Sequence, residues 1–280
     1  MPGATELPES SESFDSFESF DGTVIGCRRT GSGPPVVMLH GSGGGLHSWQ
    51  PVAERLADRF ELWLPARRGY APSGPGPSAK RFADEVGDLR ALIDRIGGPV
   101  HLAGMSYGAT VALHAAAARL PLRSLVLWEP PLYAAGEKLL PVLSRYEQLT
   151  AQRDRRRADR LLAEEVARIP AALLDSMDAG EPTEPTEPTG NEPADAPGWR
   201  GDLEAMAADT ADVRRWSAVT TPTFLMRGAD TWQPMPKTLD HLATTLPHVT
   251  LATFPAQTHF APSAIPEEIA SAIADFLLRS

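Results

Sequence analysis

The chain has 280 residues and a formal net charge of −10. That length supports one large domain with a sizeable core, and the acidic balance repels phosphate backbones and anionic lipid, so neither nucleic acid nor a membrane surface is an expected partner. A single cysteine, Cys27, rules out an internal disulfide and fits a reducing compartment.

Residues 1–14 are rich in Glu, Ser and Pro and are expected to form a mobile tail. They hold no basic start followed by an apolar stretch, so no signal peptide is expected. No run of about 18 apolar residues occurs, so no membrane span is expected either. Together these predict a cytoplasmic protein. Phe17 and Phe20 are expected to dock as a first strand, because Asp21-Gly22 follows as a hairpin turn, with residues 23–29 as the return strand. Residues 36–40 form a short apolar run of the buried parallel type. Residues 48–59 read as an amphipathic helix, 61–65 as a strand, and 80–96 as a helix stopped by Gly97-Gly98. Residues 100–105 are a strand, 107–119 an Ala-rich helix and 124–128 a strand.

The β–α alternation then lapses. Residues 139–149, 154–168 and 202–216 read as helices, separated by the Glu-Pro-Thr repeat of 181–189. Its prolines deny helix and sheet, so 181–198 is expected to be an exposed extended loop. Alternation resumes with a strand at 222–227, a helix at 239–246, a strand at 249–254 and a closing helix at 266–278. The expected fold class is α/β: a mostly parallel sheet flanked by helices, with a helical cap inserted after the sixth strand. The expected core is 15–130 and 221–280, and the expected cap is 131–220.

Three segments carry chemistry. Gly104-Met105-Ser106-Tyr107-Gly108 follows an apolar strand and opens a helix. Glycines on both sides allow a sharp turn that projects the Ser106 hydroxyl above the sheet edge, as a nucleophile requires. His40-Gly41-Ser42-Gly43-Gly44-Gly45 also follows a strand. Its backbone N–H groups can approach an oxyanion, and Ser42 or Gly43, with Tyr107 beside the nucleophile, are the expected donors. His40 itself is expected to be structural. A serine needs a base to take its proton. Of seven histidines, His259 alone lies in a loop between the last strand and the last helix, although His47 could line the pocket.

These motifs resemble the α/β-hydrolase fold family from about Phe17 to Leu278, in the serine-nucleophile branch with a helical cap. Residues 66–73, Ala-Arg-Arg-Gly-Tyr-Ala-Pro-Ser, are similar to the family's Asp-x-x-Gly-x-Gly-x-Ser turn but depart from it at Ala66 and Ala71. The resemblance implies a serine, acid, histidine order. The usual acid position, three residues after a glycine at the seventh strand, holds Thr231 here, and Asp230 comes one residue early. A minority of the family, haloalkane dehalogenases among them, carries the acid at the end of the sixth strand, where this chain has Glu129. The partner of His259 is therefore Glu129 or Asp230. Serine rather than aspartate as nucleophile disfavours dehalogenase and epoxide-hydrolase chemistry.

Met105, Trp128 and Trp232 flank these residues and are expected to line the substrate pocket, with core packing as the alternative. Arg153, Arg155, Arg156 and Arg157 lie among acidic residues and read as a solvated helix face. No phosphate loop, nucleotide fingerprint or metal-spaced His/Cys cluster occurs, so no cofactor and no metal are expected. The function expected is hydrolysis of a small ester, lactone or thioester through an acyl-enzyme, with a small-molecule acyl substrate as partner and a homodimer left open. The alternatives are a lyase or cyclase on the same scaffold, or a catalytically silent binding protein.

Overall fold

The structure is a computed structural model and describes residues 13–180 and 197–280. The expected tail through Glu12 and most of the Glu-Pro-Thr loop lie outside the described residues. An eight-stranded sheet organises the chain, in the order β1-β2-β4-β3-β5-β6-β7-β8. Its strands are β1 (Ser13–Glu18), β2 (Val24–Thr30), β3 (Pro35–Leu39), β4 (Glu61–Pro65), β5 (Val100–Met105), β6 (Leu122–Trp128), β7 (Thr223–Gly228) and β8 (Val249–Phe254). β1 and β2 pair antiparallel, as do β2 and β4, and every later pairing is parallel.

Side-chain alternation divides the core into two layers. Val37 and Leu39 of β3, with Leu125 and Leu127 of β6, face one side, against α2 (Phe82–Ile96) and α3 (Tyr107–Ala117). Val36, Met38, Val126 and Trp128 face the other, against α1 (Gln50–Ala53) and α10 (Pro266–Leu277). Strands apolar on both faces are what a parallel sheet covered by helices demands. α3 runs through the interior; its alanines keep it thin enough to lie close to the sheet.

The cap leaves the sheet after β6 and returns at β7. It holds α4 (Leu140–Ala151), α5 (Arg155–Glu165), α6 (Ala171–Gly180) and α7 (Pro197–Ala207). α8 (Met235–Thr245) and α9 (Ala261–Ala264) complete the helices among the described residues, and none is long and apolar enough to cross a membrane.

Several expected boundaries move. β1 begins at Ser13, inside the expected tail. Phe20 lies in the turn after β1, not in the strand, and is exposed, with Arg68 stacked on its ring. The helix expected at 48–59 contracts to α1 followed by turns. The helix expected at 202–216 starts earlier as α7 and ends at Ala207; a separate 3-10 turn covers Val213–Ala218, capped by Asp212. Between the two, Asp209 grips both terminal guanidinium nitrogens of Arg215 at 2.5 Å and His114 of α3 at 3.1 Å, which ties this bend to the core.

Candidate active site

Ser106 stands between β5 and α3 with φ 52° and ψ −124°, a conformation a non-glycine residue adopts only when its surroundings enforce it. The glycines on either side explain how. A Cβ on Gly104 would lie 2.4 Å from the Gly108 carbonyl oxygen, and one on Gly108 would lie 2.6 Å from the carbonyl oxygens of Leu39 and His40. Only glycine permits β3, β5 and α3 to meet this closely. The Ser106 N–H is held by the Trp128 carbonyl at 2.7 Å, which leaves its hydroxyl facing the cavity beneath the cap. Among the described residues that hydroxyl has no hydrogen-bond partner; serine–histidine contacts that are long at rest and tighten with substrate are usual.

The chain brings His259 to the same cavity on the loop after β8. Its Nδ1 lies 2.6 Å from Glu129 Oε2. A carboxylate only accepts, so Nδ1 is the donor, and in the neutral ring Nε2 is then the nitrogen with a free lone pair. Glu129 follows β6, is fully buried, and has φ 43°, a second strained non-glycine position in one site. Its other hydrogen bonds come from the Gly228 N–H to Oε1 at 2.9 Å and from the Thr231 hydroxyl to Oε2 at 3.0 Å. A carboxylate buried this deeply needs such donors. Asp230, the other candidate, is exposed, and its backbone N–H is tied to the Gln257 carbonyl at 2.8 Å. The one-residue offset turns it to solvent and turns Thr231 inward. The structure therefore brings Glu129, and not Asp230, to His259.

The glycine loop after β3 also borders the cavity, through Ser42 and Gly43. His40 anchors this loop: Nδ1 donates to the Gly41 carbonyl at 2.7 Å, and Nε2 accepts the Arg67 N–H at 3.0 Å. Burial, with the Arg67 charge adding to it, pushes its pKa down to about 3, so the ring is neutral. The Gly43 N–H donates to the Tyr70 hydroxyl at 3.1 Å, which commits that expected donor to a protein acceptor. The N–H of Tyr107, first residue of α3, has no intrahelical acceptor, and Ser42 lies on the same rim.

The cavity has a volume of about 380 Å³. Tyr133, Leu162, Val166, Trp199, Met206 and Trp232 make its wall largely apolar. Of the expected pocket residues, Trp232 does line it, and its indole N–H holds the Ala167 carbonyl of the cap at 2.8 Å. Met105 and Trp128 do not. Strand alternation sends both into the layer packed on α1 and α10, where the Trp128 indole N–H instead fixes the His259 carbonyl at 2.8 Å. Arg155, read as part of a solvated face, borders the cavity with Asp159, 3.6 Å away.

Sequence reasoning missed a buried polar group behind the glycine loop: Arg67, Tyr70, Lys80, Glu85 and Asp202. Their signal was charge placed next to apolar runs, but the members lie up to 135 positions apart, Arg67 to Asp202, and nothing in their spacing links them.

The profile of the alpha/beta hydrolase family matches residues 36–272. The chain is similar to an N-formylmaleamate deformylase of Pseudomonas putida, at 33% identity over 41% of this chain and 44% of that protein. It is also similar to a 2-(acetamidomethylene)succinate hydrolase of Mesorhizobium japonicum, at 26% identity over 90% of this chain and 91% of that one. The matched stretches of the first curated relatives span 33% to 44% of their own length. Among solved structures, an alpha/beta hydrolase from Sphaerobacter thermophilus superposes with a TM-score of 0.77 at 30% identity, covering 94% of this chain and all of that one.

Proposed function

The chain belongs to the alpha/beta hydrolase family, and on that premise we propose that it is a serine hydrolase that cleaves a small organic ester, lactone or thioester through an acyl-enzyme. One observation carries the reading: a strained Ser106 and a His259 paired with buried Glu129 face the same cavity. Ser106 Oγ attacks the substrate carbonyl and passes its proton to His259 Nε2. Glu129 holds the ring in the correct tautomer and stabilises the imidazolium that forms. The Tyr107 and Ser42 amides receive the developing oxyanion, where preorganised donors lower the barrier most. His259 then returns the proton to the leaving group, and water repeats the sequence on the acyl-enzyme.

The apolar wall favours an apolar or moderately polar acyl group, and the cap helices set its size. The relatives named as a deformylase and a hydrolase support hydrolysis over lyase or cyclase chemistry. We further assign the enzyme to the cytoplasm.

A fluorophosphonate probe tests this directly. Covalent labelling should map to Ser106 by peptide mass spectrometry and vanish in Ser106→Ala, along with turnover of p-nitrophenyl acetate. A folded sample that neither labels nor hydrolyses acetyl or longer acyl esters would overturn the reading.

A further inference from the structure

The buried charges behind the glycine loop converge on one residue of the cap. Asp202, on α7, is fully buried. Its Oδ2 accepts from the Ser42 hydroxyl at 2.5 Å, the Tyr70 hydroxyl at 2.7 Å and Arg67 Nη2 at 2.8 Å. Its Oδ1 accepts from Arg67 Nη1 at 2.9 Å and from Lys80 Nζ. Glu85 completes the group, taking Arg67 Nη1 at 2.7 Å on one oxygen and the Tyr107 hydroxyl at 2.7 Å on the other. Two cations and two carboxylates thus balance inside the protein, the condition for burying charge at all. Burial alone would raise the Asp202 carboxyl, but Arg67 and Lys80 overcome it and hold the group well below the ordinary carboxylate range.

The hydroxyls in this group belong to the residues that shape the oxyanion site. Ser42 is bound to Asp202 directly. Gly43 is bound through Tyr70, which accepts the Gly43 N–H and donates onward to Asp202. α7 is fitted to the same place. A Cβ on Gly198 would lie 2.4 Å from the Tyr70 ring, and one on Gly43 would lie 2.8 Å from Trp199 Nε1. α7 thus packs on Tyr70 through Gly198 and on Gly43 of the loop through Trp199.

Building on the serine-hydrolase reading above, we propose that Asp202 is a positioning residue for the oxyanion site: a cap carboxylate that clamps the glycine loop through Ser42 and Tyr70, so that the Ser42 amide is correctly aimed only while α7 is seated. The clamp makes catalytic competence, and not merely substrate fit, depend on the cap. It also accounts for the Ser42 hydroxyl, which ties its residue to the cap while the backbone amide serves the reaction.

The test compares p-nitrophenyl acetate with its thionoester, in which sulfur replaces the carbonyl oxygen. Sulfur is a weak hydrogen-bond acceptor, so the thionoester draws little on the oxyanion donors. Ser42→Ala removes the direct hydrogen bond to Asp202, Tyr70→Phe removes both hydrogen bonds of the indirect link, and each leaves the ion pairs intact. Each should lower kcat on the oxoester about tenfold, the worth of one hydrogen bond to a charged group, with KM within about twofold and a thermal midpoint close to wild type. The thionoester rate should fall far less, so the oxo-to-thiono ratio drops. Ser42→Thr, which keeps the hydroxyl, should restore the ratio. Asp202→Asn should lower the ratio further, and if it does not fold, Ser42→Ala still decides. An unchanged ratio in both single variants, with wild type active, overturns the positioning role and leaves the hydrolase reading standing. A wild type that is inert on both esters and unlabelled at Ser106 overturns both.

Discussion

Thr231 donates its hydroxyl hydrogen to Glu129 Oε2 over 3.0 Å. The two residues come from the ends of neighbouring strands, β7 and β6, and Thr231 occupies the position where most of the family is expected to carry its acid. Here that position supports a carboxylate delivered by the adjacent strand. Glu129 Oε2 therefore takes both the threonine hydroxyl and the His259 ring N–H, and the threonine fixes the carboxylate plane. Thr231→Val should lose about 1 kcal/mol of this support, read as a roughly fivefold fall in kcat on p-nitrophenyl esters with KM little changed. A variant with wild-type kcat would show that the Gly228 and His259 donors hold the carboxylate without the threonine.

The two candidate acids separate cleanly by kinetics. Glu129→Gln keeps the shape but replaces the acceptor facing Nδ1, so His259 is no longer held in the productive tautomer. By analogy with the serine-protease aspartate, kcat should fall on the order of 10⁴-fold. Asp230→Asn changes an exposed side chain and should stay within about twofold, since surface substitutions rarely matter. The reverse ranking in steady-state kinetics would reassign the acid.

Acid should destabilise the fold through His40. Its pKa is about 3 in the native protein, against an ordinary value of 6.5. Between those values the unfolded chain binds a proton that the native chain does not, so stability rises with pH across that window. The contribution is complete above about pH 6.5 and shrinks as pH falls, by at most about 1.4 kcal/mol per pH unit. Urea unfolding should show a lower midpoint at pH 5.0 than at pH 7.5. His40→Asn should flatten that dependence; an equally steep slope in the variant would assign the loss elsewhere.

Acyl-chain preference should respond to Trp232, which walls the cavity and holds the Ala167 carbonyl. Trp232→Ala enlarges the pocket beside His259. The ratio of kcat/KM for p-nitrophenyl hexanoate over acetate should rise about tenfold, the scale on which a few methylenes are discriminated by an apolar pocket. A ratio that stays fixed or falls would put the acyl chain against another wall.

Much of the architecture is legible in local pattern. Short apolar runs alternating with amphipathic stretches announce a covered parallel sheet, and the lapse of that rhythm after Trp128 announces the cap. The contraction of the 48–59 helix and the early start of α7 at Pro197 were not legible, because tertiary packing decides where a marginal helix ends. Trp128 and Met105 look like pocket residues from their neighbours in the chain. A strand sends successive side chains to opposite faces, however, and both fall on the layer beneath α10.

By itself the sequence determined the turn at Ser106, a serine between two glycines where an apolar strand gives way to a helix, and the placement of His259 after the last strand. Those are local matters of backbone sterics and element order. Only the tertiary structure decided that Glu129 meets His259 across 130 positions of chain while Asp230 turns to solvent, and that Asp202 reaches Ser42 across 160. Such pairings depend on strand order and on how the cap closes over the sheet, and a hydrogen bond between distant residues leaves no periodicity in the chain that makes it.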